Sequence, residues 1–253
     1  MRHQPLSTFA IPLVAVAHGS RDPRAAATIE ELLDLVRRSS GVRVVTSYLD
    51  HAPPAPGQAL GGLVGEGADE AVVLPLLLTA AYHSKTDIPG ALRDIRSAHP
   101  RLTLHYGATL GPHPLMTTAL ERRLAEVGVR PDPDTALVLA AAGSSDPAAN
   151  ATIGRLARAW RGWHSVVPAY ASAARPAPAE AVRMLYDAGA PRVAVASYFL
   201  APGYFADKVR EESLETGAVA VSPVLGAAPE VAEITSQRYR ESLTRGERVA
   251  AAG

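Results

Sequence analysis

The chain has 253 residues, in which 25 Lys and Arg balance 25 Asp and Glu with no long run of either sign; small molecules, rather than nucleic acid or an anionic membrane, are the expected partners. It has no cysteine, so disulfides, thiolate zinc sites, cysteine-ligated iron–sulfur clusters and cysteine nucleophiles are excluded, and any metal must meet nitrogen or oxygen. The start runs into a structural motif rather than a cleavage site, and the longest apolar run, 71–82, contains Pro75 and falls short of the roughly 20 residues that cross a bilayer, so a cytoplasmic protein is expected.

In chain order, residues 11–17 form a short apolar run ending at His18-Gly19-Ser20, and 25–38 place Ile29, Leu32, Leu33 and Val36 at helical spacing. Residues 42–48 are β-branched and stop at the proline-rich 52–56, after which 58–64 predict a second helix. A third strand is expected over 72–78, a helix over 89–98, a fourth strand over 102–106 and a helix from 114 to about 127. The order then repeats, with strands over 136–141, 165–170, 193–199 and 219–223. Nearly all-apolar strands alternating with helices predict parallel βαβ units covered on both faces.

The repeat is visible residue by residue. At an offset of 124, Gly19, Ser20, Asp22, Pro23, Ala27, Thr28 and Ile29 recur; at 122, Val44, Val45, Tyr48, Pro54 and Pro56 recur; at 115, Leu110-Gly111 recurs. His18, His83 and His113 face Ala142, Phe205 and Ala228. Imidazoles kept in one copy only suggest one active site, with the other copy as its wall. The expected domains are 1–130 and 135–253, each long enough to bury its own core, joined by the Pro-Asp-Pro segment 130–134 and ending in a frayed tail.

Ligands of open parallel sheets gather at the carboxyl ends of the strands. His18, Asp50, His51 and His83 all fall just past a predicted strand end, and His113 lies one short loop after the fourth strand. Gly19-Ser20 open a helix whose N-terminal amides could hold an anion; the alternative is that Asp22 or Ser20 caps the helix and His18 merely ends a strand. His83 is either a ligand or part of a polar loop in which Asp87 caps the helix starting at Pro89. His113 is either a third participant or an ordinary turn, and Asp50 is preferred over His51 as a base unless both only face solvent. Arg21, Arg24 and Lys85 suit a carboxylate-bearing substrate or are solvated surface. Two imidazoles with carboxylates nearby and no thiols would suit Fe²⁺, Co²⁺, Ni²⁺ or Zn²⁺ with coordination positions left open. His3, His99, His105 and His164 carry no such signal, and no GxGxxG after a strand, GxxxxGK[ST] or GxSxG occurs.

AHGSRDP at 17–23 and VVLPLLLTAAYHSKTDIP at 72–89 resemble the sirohydrochlorin chelatases of the CbiX/SirB type, and the two-copy arrangement resembles their long form. The resemblance implies a class II chelatase-like α/β fold of two similar domains, each a mostly parallel four-stranded sheet flanked by helices, with a cleft between them. It further implies insertion of a divalent metal, Fe²⁺ first and Co²⁺ next, into sirohydrochlorin, with no ATP or other cofactor. The family's metal-binding histidines map onto His18 and His83. Asp50 stands where family members usually place Glu, and Ser20, Arg21, Lys85 and His113 are the expected contacts to the tetrapyrrole. Tyr204 and Phe205 could meet its face, although half-buried core packing is their expected fate. A monomer is expected, since the repeat builds its own cleft. A non-catalytic metal or tetrapyrrole carrier of the same fold is the alternative function, and a structural or regulatory repeat a third.

Overall fold

The structure is a computed structural model that describes residues 10–80 and 87–244. The first half runs β1 (Leu13–Ala17), α1 (Pro23–Ser40), β2 (Val44–Tyr48), α2 (Pro56–Gly65), β3 (Glu70–Pro75), α3 (Ile88–Ala98), β4 (Thr103–Tyr106) and α4 (Leu115–Glu126). The second runs β5 (Thr135–Ala141), α5 (Pro147–Ala159), β6 (Val166–Tyr170), α6 (Pro178–Asp187), β7 (Arg192–Tyr198), α7 (Tyr204–Glu215), β8 (Ala220–Val221) and α8 (Pro229–Thr244). Both sheets are wholly parallel, with orders β2-β1-β3-β4 and β6-β5-β7-β8.

The Asp-Pro pair kept in both copies starts α1 and α5 in the same way. Asp22 accepts a hydrogen bond from the Arg24 backbone N–H and Asp146 one from Ala148, each at 2.9 Å, with proline fixing φ at the first helical position. Asp22 is therefore the cap, and Ser20 accepts instead from the Asp22 backbone N–H. The third strand ends at Pro75 rather than at 78: Leu76 N–H still reaches the Val16 carbonyl, but beyond it the chain leaves the ladder. Only Ala220 and Val221 pair as the eighth strand, short of the expected 219–223.

Side chains alternate across each sheet and assign the layers. In β1, Val14 and Val16 face an outer core shared with α2 and α3, while Leu13, Ala15 and Ala17 face a central core. In β5, Ala136, Val138 and Ala140 face a second outer core, while Leu137, Leu139 and Ala141 face the same central one. Each half thus has an outer core of its own, and the two halves share a third. The central cluster contains residues of both halves, and the last helix of each half crosses over: α8 packs against α1, β3 and β4, and α4 against β7. An ion pair, Arg122 with Glu230, joins the crossing helices.

Candidate active site

In both sheets the chain moves to one side after the first strand and to the other after the second, so the switch point lies between β1 and β3 in one half and between β5 and β7 in the other. Loops leaving the carboxyl ends of these neighbouring strands are splayed apart and leave a crevice. The two crevices face each other and form one cavity of about 820 Å³, lined by 17–21 and 76–79 from the first half and by 141–145 and 198–206 from the second. This is within the usual range for small-molecule sites.

His18 follows β1 directly and lines the cavity. Its Nδ1 lies 3.2 Å from the Gly19 carbonyl. A carbonyl can only accept, so Nδ1 is the donor in that contact; a neutral imidazole so protonated has its lone pair on Nε2, the form in which imidazole binds metals. Gly19 sets this geometry: φ is +92°, and a Cβ there would stand 1.8 Å from the Asp50 carbonyl oxygen. Gly143 repeats the arrangement, with φ +85° and a virtual Cβ 2.0 Å from the Ser172 carbonyl. The tight loop is thus a property of the repeat, whereas the imidazole belongs to one copy.

Ser20 and Arg21 also line the cavity. Asp50 does not: it is exposed, and its backbone N–H donates to the His18 carbonyl at 2.9 Å. The cavity wall takes His51 instead. Ala52 N–H returns to the Asp50 carbonyl at 2.8 Å, a γ-turn with His51 at its apex and φ +64°. The second copy makes the same turn at Ala173, φ +57°, with Ala174 N–H on the Ser172 carbonyl. His51 is thus another histidine matched by alanine, and the 122-residue offset already contained that signal.

His113 is not brought to the cavity. Its Nδ1 accepts from the Leu115 backbone N–H at 3.2 Å, and Nε2 is 3.2 Å from Gln237 Oε1 on α8, whose Nε2 donates to Glu241. It pins α8 to the start of α4. His83 and Lys85 lie outside the described residues. Tyr204 and Phe205, expected as half-buried core, are 73% and 41% exposed and line the cavity. They stand at the first turn of α7, where the preceding loop faces the crevice rather than the core.

Among the described residues lining the cavity, Arg21 is the one Lys or Arg and there is no Asp or Glu, which favours an anionic ligand. Two contacts tie its walls together. Tyr198, its phenol pushed well above the ordinary range by burial and hence neutral, approaches the Leu78 carbonyl at 3.2 Å across the halves. Arg24 at the start of α1 forms an ion pair with Asp207 on α7, which joins the two halves beside the opening. Among the described residues, no group of three or more His, Asp or Glu converges to hold an ion, and no helix is long and apolar enough to cross a membrane.

The sequence profile of the CbiX family matches residues 12–127 and again 136–242. A sirohydrochlorin cobaltochelatase of Priestia megaterium is 28% identical over 245 residues, covering 90% of this chain and 78% of its own length. A sirohydrochlorin ferrochelatase of Bacillus subtilis (strain 168) is 26% identical, covering 93% of each. The solved structure of SirB from Bacillus subtilis with Fe³⁺ has the same fold, with a TM-score of 0.82 at 24% identity over 94% of this chain and 98% of that one. With its profile matched once in each half, around the same crevice, this chain belongs to the CbiX family.

Proposed function

We propose that the protein is a sirohydrochlorin chelatase, a lyase that inserts Fe²⁺, or Co²⁺ next in order, into sirohydrochlorin. The observation that carries this reading is the asymmetric cavity. His18 and His51 line it from one copy, their counterparts Ala142 and Ala173 line it from the other, and no carboxylate among the described lining residues repels a polycarboxylate substrate. The chelatases named above, matched over most of this chain, support it.

The metal is a substrate here. His18, with its lone pair on Nε2, and His83, assigned by its place in the AYHSKTDIP motif, hold the ion before transfer. Arg21 and Ser20 meet carboxylates of the tetrapyrrole, Arg21 by charge-assisted hydrogen bonds, and Lys85 joins them by its place in the same motif. Insertion releases two pyrrole protons. His51 in the wall accepts them one at a time, and Asp50, the preceding residue and exposed, passes each outward; such proton transfer commonly contributes about 10²- to 10⁴-fold in rate. The walls align the macrocycle with the ion, which contributes through positioning. The reaction needs no further cofactor, and the enzyme acts as a cytoplasmic monomer of domains 1–130 and 135–253.

Anaerobic absorbance spectroscopy of sirohydrochlorin with Fe²⁺ and Co²⁺ in turn tests the reading. Multiple-turnover conversion by the wild type, lost in His18→Ala and His83→Ala, is the expected result. Conversion no faster than without enzyme would sink it, and stoichiometric binding without turnover would indicate a carrier.

A further inference from the structure

The two walls of the cavity differ in more than their histidines. In the described part of the first half the wall adds two imidazoles and Arg21 to its small and aliphatic residues; the second has no His, Lys or Arg there, and sets an exposed aromatic pair beside alanines, serines and Asn150. Tyr204 and Phe205 hold their ring centroids 5.4 Å apart at 63°, an edge-to-face arrangement in which one ring can offer its face and the other its edge to a planar ligand. Five large hydrophobic side chains are exposed among the described residues: Met184, Tyr204, Phe205, Leu214 and Val219. Only the aromatic pair among them lines the cavity. Two aromatics kept in water at the mouth of a site are an unpaid hydration cost unless a ligand covers them.

Their support is firm. The first turn of α7 is anchored through Asp207, three residues on, by Arg24 of the opposite half. Behind the same wall, Asn150 brackets the loop after β5, accepting from Ser144 N–H at 3.0 Å and donating to its carbonyl at 2.7 Å. Ala26 occupies the equivalent place in the first half. The second wall therefore carries a braced aromatic pair beside small and polar residues, opposite the wall that carries the imidazoles.

We propose that Tyr204 and Phe205 are the platform on which the tetrapyrrole ring lies, so that the macrocycle docks on the C-terminal half and the metal enters through the face turned toward His18. This rests on the chelatase reading and adds to it the orientation of the substrate. A conjugated macrocycle is the fitting occupant because its π-face matches aromatic side chains, while its peripheral carboxylates reach Arg21 at the rim. The division assigns binding of the ring to one half and handling of the ion to the other.

Equilibrium binding of metal-free sirohydrochlorin, followed anaerobically by fluorescence quenching, tests this on the full chain, with Co²⁺ binding measured in parallel by absorbance. Tyr204→Ala and Phe205→Ala should each raise the Kd for the tetrapyrrole about 10-fold, the usual scale for losing one stacked aromatic, with Co²⁺ binding unchanged. Phe205→Leu, apolar but without a π-face, should fall between. His18→Ala should do the reverse, weakening Co²⁺ and sparing the ring. Both aromatics are exposed, so their removal leaves the core intact, and a thermal melt checks it. Aromatic variants that bind the tetrapyrrole as tightly as the wild type overturn the platform alone. A wild type that does not bind sirohydrochlorin overturns the chelatase reading and the platform together.

Discussion

Gly19 and Gly143 make the same turn, yet only one of them holds up a histidine. At either, alanine would put a methyl within 2.0 Å of a backbone carbonyl at a left-handed φ, so the loop has to move. The expected cost is about 2–3 kcal/mol for each, a fall in Tm of roughly 5–10 °C in a chain of this size. Gly19→Ala should also displace His18 and cut turnover by about 10²-fold, the scale of a 1 Å misplacement, whereas Gly143→Ala moves only Ala142 and should keep most of its activity. Melting curves and initial rates of both variants decide this; equal loss of turnover would show that the copies share the chemistry. At this scale the sequence was legible where residue identity carried the signal. His18 against Ala142 could be read from the offset alone, and it falls on the cavity wall. For Asp50 and His51 the offset supplied a histidine matched by alanine, but which of the two adjacent loop residues reaches the cavity depends on where a γ-turn aims them. That turn is set by a hydrogen bond from Ala52 to Asp50 and by φ at His51, neither of which a residue pattern displays.

Among the helices, α4 and α8 carry the least predictable part of the fold. Each buries one face, with Met116, Leu120 and Leu124 on α4 and Val231 and Ile234 on α8. Periodicity names the buried face of a helix but not the sheet that covers it, and here each covers the sheet of the other half. The crossing is fastened by Arg122, whose Nε and Nη2 donate to Glu230 at 2.7–3.1 Å. This hydrogen-bonded guanidinium holds the Glu230 carboxyl below the usual range, against desolvation, which would raise it. A carboxyl with a depressed folded pKa stabilises the fold fully above its unfolded value, about 4.3. That contribution drains away as pH falls through the lower, folded value. The Tm of the wild type should therefore exceed that of Glu230→Gln at pH 7, with the gap closing below about pH 4. A gap independent of pH would mean that the pair contributes through packing alone.

The duplication suggests two domains, and the crossing helices and the shared central core predict that they melt as one unit. Leu13 and Leu74 of the first sheet and Leu137 and Leu139 of the second belong to a single buried cluster, completed by Met116 and Leu120 of α4 and by Val231 and Ile234 of α8. Separating the halves between α4 and β5 would uncover one face of both sheets at once and leave two amphipathic helices without the surface they cover. Neither half can replace that burial internally, because its outer core lies on the opposite face of its sheet. The intact chain should therefore melt in one transition, with van 't Hoff and calorimetric enthalpies equal, rather than in two. Residues 1–130 expressed alone should be loosely packed and bind a hydrophobic dye, and should gain ordered structure on mixing with 131–253. Two resolved transitions, or a cooperatively folded 1–130, would mean that the shared core is an interface between finished domains. Such an interface could open during turnover and widen the cleft for the macrocycle. A single transition instead has substrate entering between loops whose supporting cores stay closed, with the Arg24–Asp207 pair between the halves kept through the cycle.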